Sequence, residues 1–298
     1  MLVTMKEILD RASAENYAVA APNVHSEMNA RAYIEAAEEV NAPIIIDINF
    51  KSHPDVPFLS NVVRELARQS CVPVAINLDH GAEKWKILTA MRGGFTSVMI
   101  DRSTLPFEEN VAQVKEIVEI AHSIGLTVEA ELGHVGFAQQ YEQDRDSALT
   151  SVDEAVEFVK LTGVDCLAVA IGTAHGAYPK GFKPYLDFDR LEQIKNAVKI
   201  PLVLHGSSGT DEDDLRKACS MGINKVNIAY DLARAASDTV QGADLSGQNA
   251  YQFWNLIKEG PKEKLKYMIG VYGSAGKAWT PVSYSGLVVQ KTGFLDEG

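Results

Sequence analysis

Three histidines, His80, His175 and His205, each stand just past a short, strongly apolar run: VAINLDH, CLAVAIGTAH and PLVLH. Apolar runs of this length between helix-like segments read as buried strands of a parallel sheet, so all three imidazoles emerge at the strands' carboxyl ends. Three neutral imidazoles converging on one point form a site for a divalent metal with one coordination position free, and zinc is the first choice for nitrogen donors. Any one of them reads as well as a buried histidine satisfied by backbone partners; three at equivalent positions argue for the metal. Asn23, Asn49, Asp79, Asp101, Glu131 and Asn227 collect at strand ends in the same way. The other histidines, His25, His53, His122 and His134, do not share this placement as a set.

The elements that must position these residues alternate regularly. Strand candidates are Ala18–Pro22, Pro43–Ile48, Pro73–Leu78, Ser97–Ile100, Thr127–Glu131, Cys166–Ala170, Leu202–Leu204 and Lys225–Ile228. Helical periodicity falls between them in MNARAYIEAAEEV, FLSNVVRELARQS, FEENVAQVKEIVEIAHSIG, VDEAVEFVKLTG, FDRLEQIKNAV and DEDDLRKACSMG. Eight βα units in 298 residues predict the α/β class, a (β/α)8 TIM barrel with additional C-terminal helices in NAYQFWNLIKEGPKEKLKYMIGVYG. A doubly wound open sheet is the runner-up, and no glycine-rich dinucleotide fingerprint follows the first strand to support it. One domain is expected over 1–278, with 279–298 an arm to a neighbouring subunit or a frayed end.

Composition narrows the partners. The net charge of -12 repels phosphate backbones and no basic stripe interrupts it, which excludes nucleic acid as an expected partner. No apolar stretch is long enough for a membrane span and the first residues lack a signal-peptide pattern, so the expected location is cytoplasmic. Cys71, Cys166 and Cys219 have no CxxC spacing and read as reduced packing residues.

In order along the chain, NLDHGAEKW, SVMIDRSTLPFEENV, VEAELGHVG, AVAIGTAHG, LVLHGSSG and KVNIAYD resemble the successive motifs of the class II, metal-dependent fructose-bisphosphate and tagatose-bisphosphate aldolases, from about Asn23 to Gly276. The resemblance implies a carbon–carbon lyase, homodimeric or homotetrameric, with one catalytic zinc ion on His80, His175 and His205. It places Asp101 and Glu131 near a second metal position and makes Asp79 the catalytic acid/base. It assigns the dihydroxyacetone-phosphate part of a sugar substrate to Asn23, Gly176, Gly206, Ser207, Ser208, Asn227, Ile228, Ala229 and Tyr230, with a monovalent cation, Na+ or K+, near Gly176 and Gly206. The implied reaction is reversible retro-aldol cleavage of a ketose into a dihydroxyacetone unit and an aldehyde, through an enediolate that zinc stabilises as a Lewis acid.

The chain departs from those motifs in places that bear on substrate. Tyr230 stands where relatives carry a small Thr or Ser, and Asp47 and Asn49 replace Gln and Ser. FAQQYEQD follows GHVG, so the amides Gln139 and Gln140 stand near the expected loop acids, with Glu142 and Asp144 as substitutes. Arg102 pairs with Asp101 or Glu131, meets an anionic substrate group, or lies on the surface. These changes point to an altered ketose: mono-phosphorylated, unphosphorylated or otherwise acidic. Ordinary ketose-bisphosphate specificity and a silent zinc-binding relative are the alternatives. A Schiff-base lyase on Lys225, whose strand parity matches that of Asn227, and a zinc hydrolase are rival chemistries.

Overall fold

Eight strands alternate with helices in the computed structural model, which describes residues 1–136, 138, 148–176, 178 and 183–280. The strands are β1 (Val19–Pro22), β2 (Ile44–Ile48), β3 (Val74–Gly81), β4 (Ser97–Ile100), β5 (Thr127–Leu132), β6 (Cys166–Val169), β7 (Leu202–Leu204) and β8 (Ile223–Ile228). All ladders are parallel, in the order β1-β8-β7-β6-β5-β4-β3-β2. The two ends of that order meet through a bridge between Asn23 and Asp47, where the Val24 N–H donates to the Asp47 carbonyl at 2.9 Å. The sheet therefore closes into the expected (β/α)8 barrel, and the open-sheet alternative falls away.

Alternation along each strand separates two cores. Ala20, Ile44, Ile46, Val74, Ile76, Val98, Val128, Leu167, Leu202 and Val226 face outward into one continuous cluster with the surrounding helices. Val19, Ala21, Ile45, Ala75, Met99, Cys166, Ala168 and Val203 form a second cluster inside the barrel, closed at its amino end by Met5, Ile8, Leu9 and Ala12 of helix Met5–Glu15. Further along the same inward parity the residues turn polar. Asp47, Asn77, Glu129 and Lys225 come first, then Asn23, Asp79, Glu131 and Asn227 toward the carboxyl ends.

Side-chain caps fix where several helices begin. Ser26, Asp55, Ser151, Asp187 and Asp211 each accept a backbone N–H of the first turn, a contribution of about 1 kcal/mol apiece. After β8 come helix Tyr230–Gln241, which the periodicity did not single out, a 3-10 turn Gly247–Gln252 and helix Phe253–Val271. The last packs outside the barrel against Tyr230–Gln241 and Glu27–Glu39, as expected of the C-terminal stretch. Trp279 turns back on its own chain, with the Arg11 guanidinium 4.4 Å over its ring; residues 281–298 lie outside the described residues. No helix among the described residues is long and apolar enough to cross a membrane.

Candidate active site

Strict alternation in β3 would send Asp79 and His80 to opposite faces of the sheet. The β3–β4 register shifts between Leu78 and Gly81, and His80 has a φ of 47°, in the left-handed region. A bulge of this kind re-aims side chains at a cost in backbone strain, and here it lets two consecutive residues both serve the mouth. Gly81 must follow, because a Cβ there would lie 2.3 Å from the Met99 carbonyl oxygen.

His80 meets His205, which continues the inward parity of Val203, and His175, which lies beyond β6. Their ligand nitrogens lie within 4.8 Å of one another, and His80 Nε2 is 3.2 Å from His205 Nδ1. Backbone bonds hold the His175 loop: its N–H donates to Gly136 at 2.8 Å and its carbonyl accepts from Ala138 at 2.9 Å. A second donor set shares His80 and adds Asp101 and Glu131. Within that set His80 Nδ1 donates to Asp101 Oδ2 at 2.8 Å. Sequence reasoning passed over His134; its Nδ1 lies 3.1 Å from the Ser103 hydroxyl and 3.8 Å from Glu131 Oε1.

The residues present fit a cation. Burial, then the neighbouring His205 and His80, push His175 down to about 3, so it is a neutral ligand at ordinary pH. Burial works against a charged His80, but Asp79, Asp101 and Glu131 outweigh it and raise that imidazole to about 10. The surroundings of His80 therefore favour a positive charge. Burial, reinforced by Asp101, lifts Glu131 to about 8, and its Oε2 is buried without a hydrogen-bond partner. A buried orphan carboxyl oxygen next to a cluster of imidazoles is what an oxygen- and nitrogen-liganded metal would satisfy.

Asp79 sits against this group, Oδ1 3.7 Å from His80 Nε2. Three amides from three other strand ends donate to its carboxylate: Asn23 at 2.8 Å, Asn227 at 3.1 Å and Asn49 at 3.4 Å. Burial alone would raise its pKa, yet His80, His205, Lys225 and the Asn23 bond hold it well below the ordinary value. Below the mouth, His205 Nε2 donates to Glu129 Oε1 at 2.8 Å, and Lys225 Nζ donates to Glu129 Oε2 at 2.9 Å. Asp47 points down into this layer, Oδ2 3.4 Å from Lys225 and Oδ1 accepting from Asn77 at 2.9 Å. Glu129 and Asn77 were missed in the sequence, although each stands two residues before a mouth residue on its strand. Burial of Lys225 is outweighed by the neighbouring carboxyl groups, which leaves it more basic than an ordinary lysine and disfavours the free amine that a Schiff base needs.

Gly206, with φ 65°, brings the β7 loop so close to the β6 loop that a Cβ would lie 2.4 Å from the Ala174 carbonyl carbon. Ser207 donates to the Asn227 carbonyl at 2.8 Å, and Ser208 is buried beside it. Gly176, at φ 91°, has no atom of the described residues within 4 Å of where a Cβ would be. Ile228 turns its side chain to the outer core and offers only backbone to the mouth. Ala229 begins helix Tyr230–Gln241 without a side-chain cap, and the Tyr230 ring in its first turn is 44% exposed. Arg102 ties loops together, bonding Gln113 and the Ala82 and Asp101 carbonyls rather than the carboxylates of Asp101 or Glu131. Gln139, Gln140, Glu142 and Asp144 lie outside the described residues.

Comparison with known proteins shows what the chain as a whole is similar to. The family model "Fructose-bisphosphate aldolase class-II" matches residues 3–277. A fructose-bisphosphate aldolase of Thermus caldophilus is 39% identical over 93% of this chain and 100% of its own length. Among solved structures, the YdjI aldolase of Escherichia coli K12 superposes with a TM-score of 0.84 at 35% identity, covering 94% of this chain and 100% of that one. A putative fructose-1,6-bisphosphate aldolase of Coccidioides immitis gives 0.82 at 28% identity, covering 92% and 97%.

Proposed function

Since this chain belongs to the class II fructose-bisphosphate aldolase family and is a carbon–carbon lyase, we propose that it cleaves and forms a ketose, phosphorylated or otherwise acidic, at a zinc site held by His80, His175 and His205. The observation that carries this reading is the convergence of those three imidazoles, within 4.8 Å, against an ionised and amide-held Asp79. Zinc bound there supplies Lewis-acid stabilisation of the oxyanion that develops beside the breaking bond.

Asp79 takes the proton from the hydroxyl of the carbon that becomes the aldehyde, and returns it in the condensation direction. The charges of His80, His205 and Lys225 and the Asn23 bond keep the carboxylate ionised, and its three amide donors aim it before substrate arrives. Asn23 and Asn227 also line the space where the hydroxyls of the dihydroxyacetone unit sit. The Gly206–Ser208 loop, Gly176 and the uncapped helix start at Ala229 and Tyr230 offer backbone N–H groups to a phosphate, which Ile228 joins through backbone alone. Asp101 and Glu131 would hold an alternative metal position with His80, and the backbone near Gly176 and Gly206 would take a monovalent cation, Na+ or K+.

Tyr230, an exposed aromatic residue in the first turn of helix Tyr230–Gln241 where relatives carry a small Thr or Ser, supports a substrate other than the usual 1,6-bisphosphates. The family's oligomeric and metabolic character makes a homodimer or homotetramer in the cytoplasm the expected setting. The test is zinc content together with aldehyde release from ketoses with and without C1 phosphate. Asp79→Ala should keep about one zinc per chain while turnover falls by about 10²-fold or more; retained turnover sinks the assignment of Asp79, and a zinc-free, fully active enzyme sinks the site.

A further inference from the structure

Lys225 is completely buried, and its ammonium has three protons and no lone pair. It donates to Asn227 Oδ1 at 2.7 Å and to Glu129 Oε2 at 2.9 Å, with Asp47 Oδ2 at 3.4 Å on its remaining side. Each contact removes an ambiguity further up the barrel. The two ends of an Asn amide have nearly the same shape, so nothing in packing decides which faces which neighbour. A group that can only donate decides it: Oδ1 of Asn227 must face Lys225, and Nδ2 must face Asp79 Oδ1, 3.1 Å away. Reversal would set an amide oxygen against a carboxylate.

The second contact acts on an imidazole. With Oε2 of Glu129 held by Lys225, Oε1 is left as the acceptor for His205 Nε2 at 2.8 Å. The proton of neutral His205 is thereby fixed on Nε2, and the Nδ1 lone pair is turned toward His80, 3.2 Å away.

We propose that Lys225 is a positioning residue that sets both the donor face of Asn227 toward Asp79 and the metal-binding nitrogen of His205. It rests on the zinc-aldolase reading and adds to it that one buried ammonium orients the proton carrier and a metal ligand together. Asp47 completes the arrangement, its Oδ2 3.4 Å from the ammonium that Glu129 holds at 2.9 Å.

Lys225→Met tests this, because it keeps the length of the side chain and removes every donor. In metal-free protein with 15N-labelled histidine, NMR should report His205 as a single Nε2–H tautomer in the wild type and as a tautomer mixture in the variant. Zinc affinity, read by competition with a chelator, should fall about 10- to 100-fold. The kcat of zinc-saturated variant should fall with it while KM stays within about threefold, since the lost interactions act on the reacting groups. If Lys225→Met does not fold, Glu129→Gln decides: Lys225 claims the oxygen of the new amide, which leaves its NH2 facing His205, so His205 should shift to the Nδ1–H tautomer and zinc binding should weaken, whereas a retained Nε2–H tautomer overturns the proposal. A folded variant with one unchanged tautomer, wild-type zinc affinity and wild-type kcat overturns the proposal. The tautomer readout needs no zinc, so a wild type that binds none overturns the aldolase site while Lys225 is still judged separately.

Discussion

Asp47 shares Lys225 with Glu129, and the two carboxyl groups are not equal partners. Glu129 lies closer to the ammonium and also accepts from His205, which together overcome burial and keep it ionised more readily than an ordinary glutamate. Asp47 is completely buried, its Oδ2 has no hydrogen-bond donor, and its carboxyl is raised from 3.8 to about 8 by burial, against the pull of Lys225. In the unfolded chain the same group ionises near pH 4. Below that pH the folded state loses nothing to it. As pH rises from about 4 to about 8 the unfolded state sheds its proton while the folded state holds on, so stability declines across that window and levels off above it. Four pKa units correspond to about 5 kcal/mol as a ceiling, and relaxation around Lys225 reduces that to a few kcal/mol. Asp47→Asn removes the titration yet leaves an amide oxygen to accept from Lys225. The variant should match the wild type near pH 4 and melt about 5 to 10 °C higher at pH 9, at equal zinc concentration. Parallel melting curves from pH 5 to 9, or a variant that grows relatively weaker as pH rises, would refute the protonated Asp47.

Gly206→Ala should cost about 3 kcal/mol or more in denaturant unfolding, because the added methyl meets the Ala174 backbone and the residue must hold φ 65°; wild-type stability would mean the β6 and β7 loops stand further apart. Tyr230→Thr restores the small residue that relatives carry, and kcat/KM for 1,6-bisphosphate ketoses should rise about tenfold relative to unphosphorylated ketoses. An unchanged ratio would separate Tyr230 from specificity.

The sequence carried the barrel and the His trio for a physical reason: strands buried on both faces read as apolar runs, and the residue after each run emerges where they end. The same property concealed the inner layer. Glu129 and Lys225 sit in VEAEL and INKVNI, where the outward partners Ala130 and Val226 supply the apolar character and the inward residues look like noise. Parity alone recovers them, and it did so for Lys225 while leaving its partners unnamed. The bulge at His80 was illegible, since nothing in LDHG announces a left-handed residue; the adjacent Asp-His pair made sense only once β3 was seen to run through it. Arg102 likewise offered several partners, and the choice fell to Gln113 on a helix whose packing periodicity cannot specify.

Among the described residues, the backbone pairing that closes the barrel between its first and second strands is the bridge from Asn23 to Asp47. Asn23 also grips Asp79, and Asp47 faces Lys225 from the last strand, so the seam and the reaction centre are the same stretch of chain. A polypeptide whose seam has come apart loses the Asn23 contact to its proton carrier, leaving Asn227 and Asn49 to hold it. Thermal inactivation would then run ahead of global unfolding, and a substrate spanning the seam would act as a clasp, lending the enzyme endurance in proportion to its occupancy.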